Sequence, residues 1–468
     1  MIEALNTEHS RYRDRKDMWR RYWDFYVGGE QMRRNAGQYL TRRQKEPNDV
    51  YAERLGRVFY ENYLGSCVDW YAAALFRAEP RIAVETADSK TRKFYAQFIE
   101  DCDCRGTTLM STARKAFVET MVYGESHLLI DFPRVEGEAQ TRAEEDALGK
   151  SRAYLAPFSP LDLINWKADP YGAVEWAVIK TEETYQAAFD RPEMITEDRW
   201  LYYDREVYRN YRRRRGGAPG GLAVGDGVEL VSEGRHALAG VGRAPIVNMS
   251  LSDGLWLVNK AALLAEEHFN KSNALGWALH MGLFAMPVIY SEREWQQVVG
   301  EAYYLQLGPD DKFGWTEPEG RVFEIAADNL DRLKDEIYRV CYLMTQAAGR
   351  EAKNLGQSGL SKERDFAVTQ EVLRSYGSTV KTFLRQTLEL VAKARQDDVK
   401  FEITGMDQFD ATDFSDELAA AIGLREAGIH SPRLGKEVQK RIALKYLEGA
   451  TQETKNAVVE EIERGLKA

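Results

Sequence analysis

An α+β fold is predicted for this 468-residue chain by three observations. Helical spacing of apolar residues governs both ends of the sequence. A β-rich stretch lies between them, at residues 153–250. Two long helical patterns then bracket a compact segment, residues 287–325, that reads as strand, helix, strand, turn and strand.

Composition sets outer bounds. A chain of this length builds roughly two to four core-forming units. Hydrophobic residues make up 44% of it, enough for a substantial core without disulfides or metal. No run of about 18 apolar residues occurs, so no membrane span is expected. The opening MIEALNTEHSRYRDRKDMWRR is charged throughout and lacks the apolar stretch of a secretory signal, so a soluble, cytosol-made protein is expected. Cys67, Cys102, Cys104 and Cys341 are too scattered for a disulfide framework, and the C-x-C at 102–104 lacks a second ligand pair for zinc. They are read as structural, with no metal and no cofactor expected.

The formal net charge is −10, which argues against a protein that grips nucleic acid tightly. It does not argue against one that lets DNA slide. Each phosphate neutralised by Lys or Arg adds affinity and therefore drag. An acidic balance suits a conduit and an ordinary acidic protein alike.

The elements follow in order. Residues 8–46 interleave Trp19, Tyr22, Trp23, Phe25 and Tyr26 with Arg11, Arg13, Arg15, Arg20 and Arg21, an amphipathic helix broken at Gly28-Gly29. Asp14, Asp17 and Asp24 interrupt the basic stripe, so packing of the aromatic face is favoured over nucleic-acid binding. From Tyr51 to Asp131 the pattern is helix, strand, helix, helix, strand, with a helix terminator at Gly124 and His127 read as a satisfied structural histidine. Residues 134–152 are a polar surface insertion. Its Gly149-Lys150-Ser151 is the tail of a phosphate loop, but Glu144 stands where that loop needs glycine, so nucleotide binding is rejected.

Within 153–250 the runs YLAPFS, LINWKA, AVEWAVIK, RWLYYDREVYRNY, GVELVSEG and APIVNMS read as strands. The densest basic patch, 208–221, reads as a Gly-rich hairpin tip carrying Arg212 to Arg215. It is open to DNA, to an acidic partner, or only to solvent. A long helix is expected over 255–282. A second, over 328–349, has Leu333, Ile337, Val340, Cys341 and Met344 on one face. A Gly/Ser/Asn loop fills 350–361, with Ser361 as N-cap of a third helix over 362–395, kinked near Gly377. The strand 398–405 and helices at 415–427, 432–448 and 452–466 complete the chain.

Residues 251–365 carry a resemblance. A long helix, FAMPVIYS, YLQLGPDDKFGWTEPEG, a second helix and a Gly/Ser-rich loop resemble the stem–clip–stem–tunnel-loop order of tailed-phage portal proteins. YENYLGSCVDWYAAALFRAEPRI resembles the portal wing helix and its Pro-containing strand, and LREAGIHSPRLGKEVQKRI a helix–turn–helix near the portal C-terminus. The resemblance covers most of the chain in element order, and the 134–152 and 208–221 stretches match loosely. It implies a portal fold: an α/β wing (1–250), a two-helix stem (251–281 and 328–349) and a small α/β clip (282–327). A tunnel loop (350–361), a long kinked helix and strand returning to the wing (362–404) and a helical crown (405–468) complete it.

The resemblance further implies a homo-oligomeric ring, typically of about twelve subunits, at one capsid vertex of the virion. Double-stranded DNA would be packaged and ejected through it without sequence specificity. Implied partners are the large terminase subunit, then head–tail adaptors, with the major capsid or scaffolding protein at the wing. ATP hydrolysis would belong to the terminase, and no catalytic constellation is read in this chain, so it is not expected to be an enzyme.

Three residue sets are singled out. The tunnel loop would touch DNA through Arg350, Lys353, Asn354, Gly356, Gln357, Ser358, Gly359, Lys362 and Arg364, with Glu351, Glu363 and Asp365 holding affinity low. Glu266, Glu267, Asp331, Asp335 and Glu336 are the candidates to line a largely acidic or neutral channel. Tyr303, Tyr304, Phe313 and Trp315 would pair clips of neighbouring subunits. The competing reading is a soluble oligomeric structural or adaptor protein without DNA contact.

Overall fold

The protein is described from a computed structural model. It describes residues 2–133, 152–215, 227–282, 286–290, 312–316, 320–343, 359–407, 409, 419, 422–423, 431–447 and 449–465. The chain divides into two compact units: residues 1–23, 68–256 and 363–468 form the first, and residues 24–67 and 257–362 the second.

The first unit is built around a fully buried strand. Helices α1 (Ile2–Leu5) and α2 (Ser10–Val27) open the chain; α3 (Gly29–Asn35), α4 (Asn48–Gly56) and the first turn of α5 (Tyr63–Leu75) fall in the second unit. Strand β1 (Arg81–Glu85), α6 (Ser89–Glu100) and α7 (Leu109–Tyr123) lead into β2 (Glu125–Asp131), every residue of which is buried. Its flanking partners are β3 (Tyr154–Phe158) and β9 (Ile246–Ser250), both antiparallel. Four polar side chains on β2 are buried, so each needs a partner. Glu125 meets Arg11 at 2.8 Å, Ser126 meets Thr120 at 2.7 Å, and Asp131 accepts from Tyr154 at 3.1 Å. His127 pairs with Asn248 through Nδ1 at 2.8 Å and stacks on Phe158. That is the satisfied structural histidine the sequence suggested.

Gly124 ends α7 in the left-handed region, at φ 84°. A Cβ there would also lie 3.0 Å from the Trp256 indole, so conformation and packing both exclude a side chain. Trp256 donates to Val122 O and Trp19 to Tyr123 O, anchoring two large aromatic residues on the end of α7. The aromatic stripe of α2 is thus core, as expected.

A five-stranded antiparallel meander follows: β4 (Leu163–Ala168), β5 (Val174–Ala188), β6 (Arg191–Tyr203), β7 (Val207–Arg215) and β8 (Glu229–Arg235). Sequence patterning merged β6 and β7 into one run. The Asp204 carboxylate accepts from the backbone N–H groups of Glu206 and Val207, both at 2.8 Å, and folds the chain back between them. Leu129 and Ile246 of the three-stranded sheet pack with Leu163, Val174, Ile179 and Tyr203 of the five-stranded one in a shared core.

Helix α8 (Leu257–Gly282), strands β10 (Met286–Tyr290) and β11 (Lys312–Thr316), and helix α9 (Gly320–Val340) belong to the second unit. The chain then forms α10 (Gly359–Arg395), β12 (Lys400–Thr404), α11 (Pro432–Tyr446) and α12 (Gln452–Arg464). β12 pairs antiparallel with β1.

Four sequence expectations are corrected. Residues 321–325, expected as a strand before a helix from 328, are helical from Gly320. Ser361 is not an N-cap, because α10 already begins at Gly359. Gly377 does not interrupt α10: a Cβ there would fall 2.0 Å from Met406 O, so this glycine serves a close backbone approach rather than a kink. Arg212 to Arg215 do not ride a hairpin tip but lie within β7, all four paired with β6 and Arg212 also with β8. All but the last residue of the expected insertion at 134–152, and almost all of the helix at 415–427, lie outside the described residues.

Candidate functional site: an antiparallel helix pair

In α8 the apolar residues Leu257, Val258, Ala261, Ala262, Ala265 and Phe269 recur at helical spacing and are buried. In α9 Leu333 and Ile337 form the matching face, continued by Cys341 and Leu343 beyond its end. Lys271 donates to Asn329 at 2.9 Å, and Lys260 lies 5.4 Å over the Tyr342 ring. Rising numbers on one helix meet falling numbers on the other, so the pair is antiparallel. At about 1.5 Å per residue, the 26 residues of α8 span about 39 Å.

Side-chain amides latch α8 to the stretches on either side of α4. Asn270 accepts from Thr41 N at 2.8 Å and donates to Tyr39 O at 3.0 Å. One turn on, Asn273 accepts from Phe59 N at 3.0 Å and donates to Phe59 O at 2.9 Å. Each amide imitates a strand partner for backbone groups that would otherwise lack one. Gly276 leaves room for the Phe59 ring. Sequence reading missed these three. Their signal was two asparagines three apart on the inward side of an amphipathic helix, where apolar residues are expected.

Nearby, His268 is buried against Tyr63 with Nε2 at 3.4 Å from Glu61. Burial, outweighing Glu61, holds its pKa below the ordinary imidazole value. The Arg54–Glu46 pair, 2.8 Å apart and buried, fixes the turn ahead of α4.

Parts of the pair are open. Leu263 is 65% exposed, Val322 64% and Ile325 60%. Exposed leucines taken singly are ordinary, but three such positions on two long paired helices amount to unspent apolar surface.

The acidic residues singled out in the sequence are dispersed along this pair. Glu267 meets Lys271 at 2.9 Å, Asp331 meets Lys334 at 2.6 Å, and Glu336 meets Arg339 at 2.5 Å. The Arg339 hydrogen bond, opposed by desolvation, lowers the Glu336 carboxyl pKa. Glu266 is half-buried, and Asp335 is exposed one turn along α9 from Asp331. The structure therefore gives a mixed surface rather than a plain acidic stripe.

Phe313 and Trp315 fall on β11, opposite Ile289 and Pro287 of β10. A proline is admissible in a two-stranded ribbon because one edge needs no donor. Tyr303, Tyr304, Arg350, Lys353, Asn354, Gly356, Gln357 and Ser358 lie outside the described residues. Gly359, expected in the loop, opens α10, and Lys362 and Arg364 lie in its first turns, within the helix expected from 362.

The arginine run resolves differently. β6 and β7 set Glu197 opposite Arg214, Asp198 opposite Arg213 and Arg199 opposite Arg212. Because successive side chains alternate between faces, the four arginines divide two and two. On one face Glu197 takes Arg214 at 3.1 Å, Arg199 at 2.5 Å and the Tyr185 hydroxyl at 3.1 Å, while Arg212 binds Glu229. On the other, Asp198 takes Arg213 at 2.8 Å and Arg215 at 2.5 Å, and Arg215 also reaches Glu182. Both central carboxylates are wholly covered. Desolvation opposes ionisation of Glu197, but hydrogen bonds from Arg199, Arg214 and Tyr185 outweigh it and lower its pKa. The patch is internally neutralised.

Among the described residues no helix is long and apolar enough to cross a membrane, and no group of three or more His, Cys, Asp or Glu side chains is placed to hold a metal ion.

No family model and no curated protein matches the chain. Among solved structures it is similar to a chain of the neck of an empty gene transfer agent particle computed with C6 symmetry. That overlay has 12% identity and a TM-score of 0.43, covering 87% of this chain and 96% of that one. A chain of the native gene transfer agent virion gives 13% identity and a TM-score of 0.42, with 88% and 97% covered. One from the native neck computed with C12 symmetry gives 12% and 0.39, with 88% and 99% covered. TM-scores below 0.5 do not establish a shared fold.

Proposed function

We propose that this chain is a portal-like ring subunit of a phage-like virion, a structural conduit for double-stranded DNA rather than an enzyme. One observation carries the reading: an antiparallel pair of long helices, separated in sequence by a small β-ribbon, that leaves Leu263, Val322 and Ile325 uncovered. Lateral packing of identical pairs would cover these residues, and head-to-tail repetition around an axis closes into a ring.

The mixed charge of the pair suits passage rather than capture. Local cations offset Glu267, Asp331 and Glu336, so the wall holds few unpaired charges for phosphates to meet. Residues 350–358, with Arg350 and Lys353, remain the segment proposed to touch the duplex. The terminase and then head–tail adaptors would dock at the β-ribbon segment, and capsid or scaffolding protein at the first unit.

Native mass spectrometry and negative-stain imaging of purified protein test this. The expected result is a closed ring, of about twelve copies by resemblance, with an opening wide enough for a duplex. Replacing Val322 and Ile325 together by glutamate should dissociate the ring while the monomer stays folded. A stable monomer, or a multimer without an opening, rejects the reading. The arginine strand, neutralised within its own sheet, favours the second reading of an adaptor that never touches DNA. Deleting residues 354–359 separates the two: rings should persist while DNA packaging or retention fails, and normal packaging favours the adaptor.

A further inference from the structure

All four cysteines are free thiols, and two of them, distant in sequence, meet inside the second unit. Cys67 lies near the start of α5 and Cys341 just past the end of α9, 2% and 1% exposed. Helix packing brings them together. Tyr63 meets Tyr338 edge to face, with ring centroids 6.0 Å apart. Cys67 comes four residues after Tyr63, and Cys341 three after Tyr338, so the same two faces meet again one turn on. There the two thiols hydrogen-bond to each other.

The end of α9 holds Cys341 in a fixed place. Tyr342 follows it in the left-handed region, at φ 57°, uncommon for a residue with a side chain. Leu343 N donates to Tyr338 O at 2.9 Å and Tyr342 N to Arg339 O at 3.1 Å, the two-bond helix ending that glycine ordinarily completes. Lys260 over the Tyr342 ring and the burial of Leu343 hold this backbone shape against its local cost. The remaining cysteines are placed differently. Cys102 pairs with the Thr112 hydroxyl at 3.2 Å, and Cys104 is exposed.

We propose that Cys67 and Cys341 are a reversible disulfide pair that, once oxidised, fastens the start of α5 to the cap of α9. The oxidant is a small-molecule disulfide. One cysteine, as thiolate, attacks it, a mixed disulfide forms and one small thiol leaves. The other cysteine then attacks the protein-bound sulfur, the Cys67–Cys341 bond forms and the second small thiol leaves. The two cysteine protons end on the two released thiols, and two electrons reduce the oxidant. The hydrogen bond to Cys67, together with burial, pushes the Cys341 thiol well above its usual value, against the pull of Lys260. The pair is therefore idle while the site is closed and reacts when the end of α9 opens. A reducing medium keeps it as thiols. None of this depends on the portal reading.

The test uses the full chain carrying Cys104→Ser, which removes the exposed thiol and any link it makes between copies. The folded protein is held with glutathione disulfide, then alkylated in denaturant and mapped by peptide mass spectrometry. A linked Cys67–Cys341 peptide, two hydrogens lighter than the separate thiols, is expected, and dithiothreitol should release it. Oxidation should raise the melting temperature by about 2 °C or more, since a cross-link between residues far apart in sequence restricts the unfolded chain. Cys67→Ala should abolish that rise, and Cys341→Ala is the second variant should the first not fold. Both cysteines still alkylated after prolonged exposure, or a link that forms only in the denatured chain or through Cys102, overturns the proposal. So does a linked chain that melts no higher than the reduced one.

Discussion

The arginines of β7 and the exposed apolar residues of α8 and α9 end in opposite circumstances. The first are closed off by carboxylates on their own sheet, and the second face outward. In one dimension the run YRNYRRRR is the more conspicuous, and Leu263, Val322 and Ile325 pass as parts of ordinary helices. In three dimensions a strand pairing supplies Glu197 and Asp198, while no element among the described residues covers the helix positions. Charge density in a sequence is thus a weak guide to an interface unless its counter-charges can be located. Unspent apolar area is the stronger one.

The largest test of this contrast is Phe269→Ala. Phe269 is fully buried in the second unit, so its truncation should cost about 3–5 kcal/mol. Denaturant melts give the size, and amide exchange gives the place: protection should fall around α8 and α9 while β2 and α7 keep theirs. Equal loss in both would mean one cooperative body and dissolve the comparison.

Next comes Asp198→Asn. Arg213 and Arg215, partly exposed, would lose their shared carboxylate, at a cost of about 2 kcal/mol after allowance for solvent. The freed cations should also give the sheet a salt-dependent affinity for heparin or DNA that the wild type lacks. Unchanged heparin retention would show that the pairing was not what silenced the patch.

A carboxylate without arginines sharpens the same point. Glu119 on α7 has a buried oxygen with no hydrogen-bond partner among the described residues, and burial, aided by Asp162, pushes its pKa from 4.5 to about 7. The folded state favours the protonated form, so this stabilisation is full below the unfolded value near 4.5 and is lost as pH rises through about 7. Glu197 leans the other way: its lowered pKa gives stability above the ordinary carboxylate value, lost as pH falls through the folded one. Glu119→Gln should flatten the decline of melting temperature toward pH 8, and an unchanged profile would refute the assignment. The smallest effect is expected for Glu267→Gln, which removes one exposed i,i+4 pair with Lys271 worth about 0.3–0.5 kcal/mol.

Much of the element order was legible because local signals agree with the fold. Gly28-Gly29 breaks the first long helical pattern, Gly124 ends α7, and Ser431-Pro432 caps α11, the Ser431 hydroxyl accepting from Leu434 N at 3.4 Å. The errors fall where a distant partner decides. Arg-Val-Phe-Glu-Ile at 321–325 has strand propensity but continues α9 without a break. Gly377 looks like a hinge until the Met406 carbonyl is seen against it. The latch residues Asn270 and Asn273 show in the sequence only as two polar positions on an inward helix face, since their acceptors and donors lie more than two hundred positions away. Of the candidate site, the helix pair was readable from period alone, and its uncovered residues were not.

Two side-chain amides of α12 have a consequence for solubility. Ile82 sits on the rim of a two-stranded sheet, where unclaimed N–H and C=O groups recruit foreign strands. Gln452 takes its N–H and Asn456 its C=O, so a helix seals the rim with side chains alone. Any process that concentrates many copies of this chain together can proceed without that rim seeding fibrils.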